Sequence, residues 1–178
     1  MTKEFLFAGF GGQGLLFSGK VLAYKGLIED KNVSWLPSYG PEMRGGTANC
    51  SVIISDEPVG APIVLNPDVL VAMNLPSLDK YENAVRKGGI ILVDSSLIER
   101  KVVRDDVDVY YVPATRLASE NGAETLANMI LMGKLLNVLD EYSEENVGKA
   151  LDKCISARHA DMKDLNRKMM EIGKNYTE

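Results

Sequence analysis

The sequence predicts a three-layer α/β/α fold, Rossmann-like, with a largely parallel sheet and a helical C-terminal part. Short apolar runs such as FLFAGF, VLVAM and IILVD alternate with stretches of helical spacing, as in a parallel sheet buried on both faces. The first run ends in a glycine-rich turn that opens a helix, and the last third, from Ala123, keeps helical periodicity. With 178 residues, one domain spanning 1–178 is expected.

Residues 5–10 are apolar and closed by glycine, which predicts a buried strand. From Gly14 the pattern becomes helical, with Leu15, Gly19, Leu22, Ala23 and Gly26 on one face; these mostly small residues let the helix sit close on a sheet. NVSWLPS (32–38), TANCSVII (47–54), PDVLVAMN (67–74), IILVD (90–94) and DVYYVPA (108–114) follow as strands. Ser77 is expected to cap a helix LDKYENAVRKGG that runs to Gly88 and Gly89. Further helices are predicted over 123–139, 144–156 and 163–172, with Met129, Met132, Met169 and Met170 as core or interface filler.

The 20 basic and 25 acidic residues give a net charge of -5 without a like-charge block, so no nucleic-acid footprint is present. No secretory signal or spanning run is apparent, and a cytoplasmic protein away from membranes is expected. Cys50 and Cys154 stand in different elements and form no CxxC, which leaves a disulfide framework, a zinc site and a cysteine-ligated cluster without support. His159, the only histidine, has polar neighbours and reads as a surface residue. No serine, cysteine or lysine has an evident base partner, so neither a catalytic residue nor a metal ligand is assigned.

Two glycine loops carry the functional signal. In AGFGGQGLLFSGK (8–20), Gly9, Gly11 and Gly14 satisfy G-x-G-x-x-G between a strand and a helix, the context of a dinucleotide-binding turn. The acidic residue that would hold the ribose is missing after the second strand, where Trp35, Leu36, Pro37, Ser38 and Tyr39 stand. Residues 14–21 also approach a phosphate loop, but Val21 occupies the position that needs a hydroxyl for magnesium. What remains is a turn with backbone donors and a polar Gln13, and the residues alone leave two readings open: a ligand or partner site, or a tight connection whose glycines serve packing. The second loop, PSYGPEMRGGTAN (37–49), joins prolines, glycines, Tyr39, Glu42 and Arg44 at the end of a strand. Both loops are expected along the carboxyl edge of the sheet, where open α/β sheets bind ligands. Asp94 reads as a helix cap, and Arg116 as an anion ligand or a solvated side chain.

The pair of loops, followed by SDEPVGAPIV, PDVLVAMN and IILVDSS, resembles the gamma subunits of the 2-oxoacid:ferredoxin oxidoreductases, from residue 5 to about residue 139. YGPEMRGGTA resembles the 2-oxoglutarate branch, with the branched-chain 2-oxoacids next, more than the pyruvate branch with its FGPERRGAPV. The resemblance implies oxidative decarboxylation of a 2-oxoacid with coenzyme A, electrons passing to ferredoxin. It implies alpha and beta partner subunits, and in some members a delta subunit. Thiamine diphosphate, magnesium and iron–sulfur clusters would be carried by those subunits, and none by this chain. It carries over Gly9, Gly11, Gly12, Gln13, Gly14, Ser38, Tyr39, Gly40, Pro41, Glu42, Arg44, Gly45 and Gly46 as the residues that shape a subunit interface or the approach of coenzyme A. An isolated chain would have apolar surface to hide, for which a homodimer is one outlet, and the sequence does not fix its oligomeric state.

Overall fold

A computed structural model describes residues 1–38 and 48–178. In chain order its elements are β1 (Thr2–Gly9), α1 (Leu15–Ile28), β2 (Asn32–Ser38), β3 (Ala48–Ser55), β4 (Val69–Ala72), α2 (Leu75–Tyr81), β5 (Ile90–Asp94), β6 (Asp108–Val112), α3 (Ala114–Glu120), α4 (Ala127–Val138), α5 (Glu144–Cys154) and α6 (Ala160–Asn175). The described strands form one sheet in the order β2-β3-β1-β4-β5-β6. β1, β4, β5 and β6 pair in parallel, while β3 is antiparallel to both β1 and β2. Only β3 therefore runs against the rest, and the expected largely parallel α/β architecture is present.

Alternation along β1 builds two cores. Phe5 and Phe7 join the cluster formed with α1, α3, α4, α5 and α6, including the buried Met129, Met132, Met169 and Met170. Leu6 and Ala8 point to the opposite face, where Leu70, Ala72, Ile91 and Val93 meet Leu78 of α2 and Ile98. The helical layers are unequal: α4 lies on the sheet, α5 packs against α1 and α6 against α4, all within this chain. α1 lies flat against β2 and β3 because Gly19 faces Cys50, Trp35 and Val52, and Gly26 faces Val33 and Ile54. α4 and α6 cross with backbones touching: a Cβ on Gly133 would lie 1.9 Å from the Met170 carbonyl oxygen, and one on Gly173 would lie 1.8 Å from that of Ile130.

Three local expectations need correction. Asn74, not Ser77, caps α2: its Oδ1 accepts from the Ser77 amide at 2.8 Å, with Pro76 in the first turn. That helix ends at Tyr81 and passes through a short 3-10 turn (Glu82–Ala84), so VRKGG is not helical. Glu82 and Arg86 pull the chain away: the Glu82 carboxylate turns inward to Arg100 and the Val103 amide, and Arg86 pairs with Asp68 and Glu4. α3 has no capping side chain of its own, and sequence inspection passes over it. It is capped from β5 by the fully buried Asp94, which accepts from the Thr115 amide at 3.2 Å and hydroxyl at 2.6 Å.

Candidate functional site

β1 delivers its last residue, Gly9, to the carboxyl edge of the sheet between β3 and β4. The chain then reverses into α1 through Gly12 (φ 89°) and Gly14 (φ 75°), both in the left-handed region that side chains resist. Gly14 is the N-cap of α1; among the described residues no side chain caps this end, and no acidic residue stands in the first turn. The α1 first-turn amides thus lack intrahelical acceptors and carry the positive end of the helix dipole.

Gln13 braces this turn. Its Oε1 accepts from the Phe10 amide at 2.6 Å and its Nε2 donates to the Met73 carbonyl at 2.9 Å, just past β4. The side chain thereby spans the crevice between β1 and β4, the point where connections switch from one face of the sheet to the other. Gly9 makes room for it, since a Cβ there would lie 2.3 Å from Gln13 Oε1. Gly11 and Gly12 are exposed, and among the described residues nothing lies within 4 Å of where a Gly12 Cβ would be. A second brace escaped sequence inspection: Asn128 of α4 donates from Nδ2 to the Gly14 carbonyl at 3.1 Å and to Ser18 Oγ at 3.0 Å. Its signal in the sequence is a lone amide within the apolar run LANMILM.

The register brings the ends of the second loop to the same edge. Gly9 is opposite Ala48 and Ser38 is opposite Asn49, so the chain leaves β2 and re-enters β3 beside the glycine turn. Ser38 is exposed there; Tyr39, Gly40, Pro41, Glu42, Arg44, Gly45 and Gly46 lie outside the described residues. Phe10, Leu15, Leu16, Phe17 and Ala48 wall an apolar depression of about 310 Å³ over Gly11, Gly12 and Gly14. Phe17 also borders a groove of about 720 Å³ with Leu126, Cys154, Ile155, Met162 and Asn166.

The other candidates are spent on structure or stand exposed outside the glycine turn. Asp94 is a cap, Arg116 is exposed beside Glu120 at 3.7 Å, and His159 is exposed. Burial pushes the Cys50 thiol up to about 12 and the Cys154 thiol up to about 11, so both are protonated and poor nucleophiles at neutral pH. Among the described residues no group of three or more His, Cys, Asp or Glu side chains converges on a point that could hold a metal, and no helix is long and apolar enough to cross a membrane.

The strand order adds a physical reason against a dinucleotide. In that fold the strand beside β1 runs parallel and presents its acidic carboxyl end to the ribose; here β3 takes that place with its amino end, and Gln13 spans the crevice on the other side.

Residues 4–176 match the family described as Pyruvate ferredoxin/flavodoxin oxidoreductase. The match reaches through α5 and α6, beyond residue 139 where the motif resemblance ends. The ketoisovalerate oxidoreductase subunit VorA of Methanothermobacter marburgensis is 40% identical over 170 residues, covering 95% of this chain and 35% of VorA. The 2-oxoglutarate synthase subunit KorC of Methanocaldococcus jannaschii is 39% identical over 154 residues, covering 85% of this chain and 82% of KorC. The chain therefore spans about a third of VorA and most of KorC. Among solved structures, the gamma subunit of a keto/oxoacid ferredoxin oxidoreductase from Geobacter sulfurreducens PCA superposes with a TM-score of 0.81 at 31% identity, covering 97% of this chain and 96% of that one.

Proposed function

Because the chain belongs to the pyruvate ferredoxin/flavodoxin oxidoreductase family, we propose that it is the gamma subunit, a single domain over 1–178, of a multi-subunit 2-oxoacid:ferredoxin oxidoreductase. The complex converts a 2-oxoacid and coenzyme A to an acyl-CoA and carbon dioxide, releasing one proton and two electrons, the electrons passing to ferredoxin. In this reading alpha and beta subunits, with a delta subunit where present, hold thiamine diphosphate, magnesium and the iron–sulfur clusters, and this chain supplies no catalytic side chain. The substrate is 2-oxoglutarate, giving succinyl-CoA; the likeness to KorC supports it, and the likeness to VorA makes a branched-chain 2-oxoacid the second reading.

One observation carries the role of this chain: an exposed, left-handed glycine turn fronts the amides of α1 at the edge where both ends of the 39–47 segment return. Backbone donors at a helix N-terminus bind phosphate groups. In the assembled enzyme the turn and Arg44 meet coenzyme A, or the partner surface that delivers it.

Co-expression with the thiamine-binding chains and purification of the assembly test this. The expected result is a complex containing thiamine and iron that reduces a dye with 2-oxoglutarate faster than with 2-oxoisovalerate, and only when coenzyme A is present. Arg44→Ala, and Gly12→Ala with Gln13→Ala, should raise the KM for coenzyme A or weaken assembly; if neither changes, the assignment of these loops fails. Faster turnover of 2-oxoisovalerate would move the substrate to the second reading.

A further inference from the structure

We infer that Asn128 is a positioning residue: from within α4 it fixes the direction of the α1 first-turn amides at the glycine turn. The inference rests on the proposed function only for its ligand, coenzyme A; the geometry is independent of it.

Asn128 is 4% exposed and is followed in α4 by the buried Met129, Ile130, Leu131 and Met132. Its Nδ2 reaches the Gly14 carbonyl, which already accepts the first helical bond from the Ser18 amide at 2.9 Å, and it also reaches Ser18 Oγ. One amide thus grips both ends of the first turn. A carbonyl oxygen only accepts, so Gly14 dictates which end of the Asn128 amide faces it. The other end, Oδ1, is buried without a partner, 3.1 Å from where a Cβ on Gly14 would be. An unpaired buried acceptor is destabilising, and an apolar side chain of similar size would avoid the penalty. Leucine at 128 would remove that unpaired acceptor but would also take the donor from Ser18 Oγ, itself in a buried residue, so the two changes offset and stability alone does not select asparagine.

What asparagine adds is the hold on the turn. Gln13 ties the turn to β4 and Asn128 ties it to α4, which is itself locked by the backbone crossing with α6. Between these two anchors Gly12 stands exposed, with none of the described residues within 4 Å of where its Cβ would be. The amides behind Gly12 are aimed by these two side chains.

Asn128→Leu tests this through hydrogen–deuterium exchange of the full chain. The expected result is at least about tenfold faster exchange of the Ser18 amide, the first hydrogen-bonded amide of α1, with protection of α6 unchanged and little change in Tm. In the reconstituted complex the KM for coenzyme A should rise about tenfold with little change in kcat, the signature of lost binding and not of lost chemistry. Asn128→Asp, which sets a carboxylate oxygen against the Gly14 carbonyl, should speed the same exchange and lower Tm. Should Asn128→Leu not fold, Asn128→Ala is read for exchange in the same way. Unchanged exchange of the Ser18 amide overturns the inference, as does a loss of protection spread through α4 and α6. Faster exchange confined to the turn with an unmoved KM upholds the positioning role and removes coenzyme A as the ligand.

Discussion

Two places in this molecule depend on glycine, in opposite ways. Where α4 crosses α6, Gly133 and Gly173 are required by proximity: any Cβ would enter the facing backbone. At the β1–α1 turn, Gly12 is required by conformation: its φ of 89° disfavours side chains, while none of the described residues approaches where its Cβ would be. The first use closes a gap and the second leaves one open among the described residues. A glycine-rich segment is therefore a packing device when a Cβ would collide and a candidate site when it would not, and only the second kind leaves backbone donors accessible. Within AGFGGQGLLFSGK both kinds occur, since Gly19 packs on Cys50 while Gly12 packs on none of the described residues.

The contrast can be broken most forcefully at the crossing. Gly133→Ala should destabilise the chain by about 3 kcal/mol, because backbone cannot yield as a side chain can; urea denaturation at constant m-value measures it. A loss within about 0.5 kcal/mol would mean that the helices have slack. Gly19→Ala should lose about 1–2 kcal/mol, because its Cβ meets a movable atom, Cys50 Sγ, at 2.4 Å. Adding Cys50→Ala should return part of that loss, and a double-mutant cycle should show coupling of at least about 0.5 kcal/mol. Additive losses would contradict the contact.

Gly12→Ala should cost only about 1 kcal/mol, from left-handed backbone alone, while coenzyme A-dependent turnover of the complex falls at least about tenfold. Were its stability loss as large as that of Gly133→Ala, the distinction between the two uses would collapse. The smallest effect belongs to the amino edge, far from both glycine sites. There Lys31, bonded to Asp56 and joined by the amino terminus, holds the Asp56 carboxyl down to about 2. A carboxyl lowered in the folded chain favours folding fully above the ordinary value of 3.8 and loses that contribution as pH falls through about 2. The Tm difference between the parent and Asp56→Asn should therefore be small at pH 5 and vanish towards pH 2. A gap that stays constant with pH would refute the assignment.

Much of the architecture was legible because each strand of the parallel half is a continuous apolar run, and because α1 carries its small face in sequence. The position of β3 was not: TANCSVII announces a strand, but slotting it antiparallel between β1 and β2 depends on pairing partners that local pattern does not encode. α3 was illegible for a related reason, since its cap, Asp94, lies on another strand. At the site, the glycines were readable from spacing and from family resemblance. The work of Gln13 and Asn128 was not, because each bonds a carbonyl 60 or 114 residues away in the chain.

The reversed strand also bears on how such a scaffold can vary. Asn49 pairs with Ser38 and Ala48 with Gly9, so the sheet clamps both ends of the 39–47 span in fixed register. Doubling the length of a span held this way adds only about 0.6 kcal/mol of closure entropy. The register on either side of the connection between β2 and β3 is therefore held by the strands themselves, and a change in the length of that connection is a small cost to the framework.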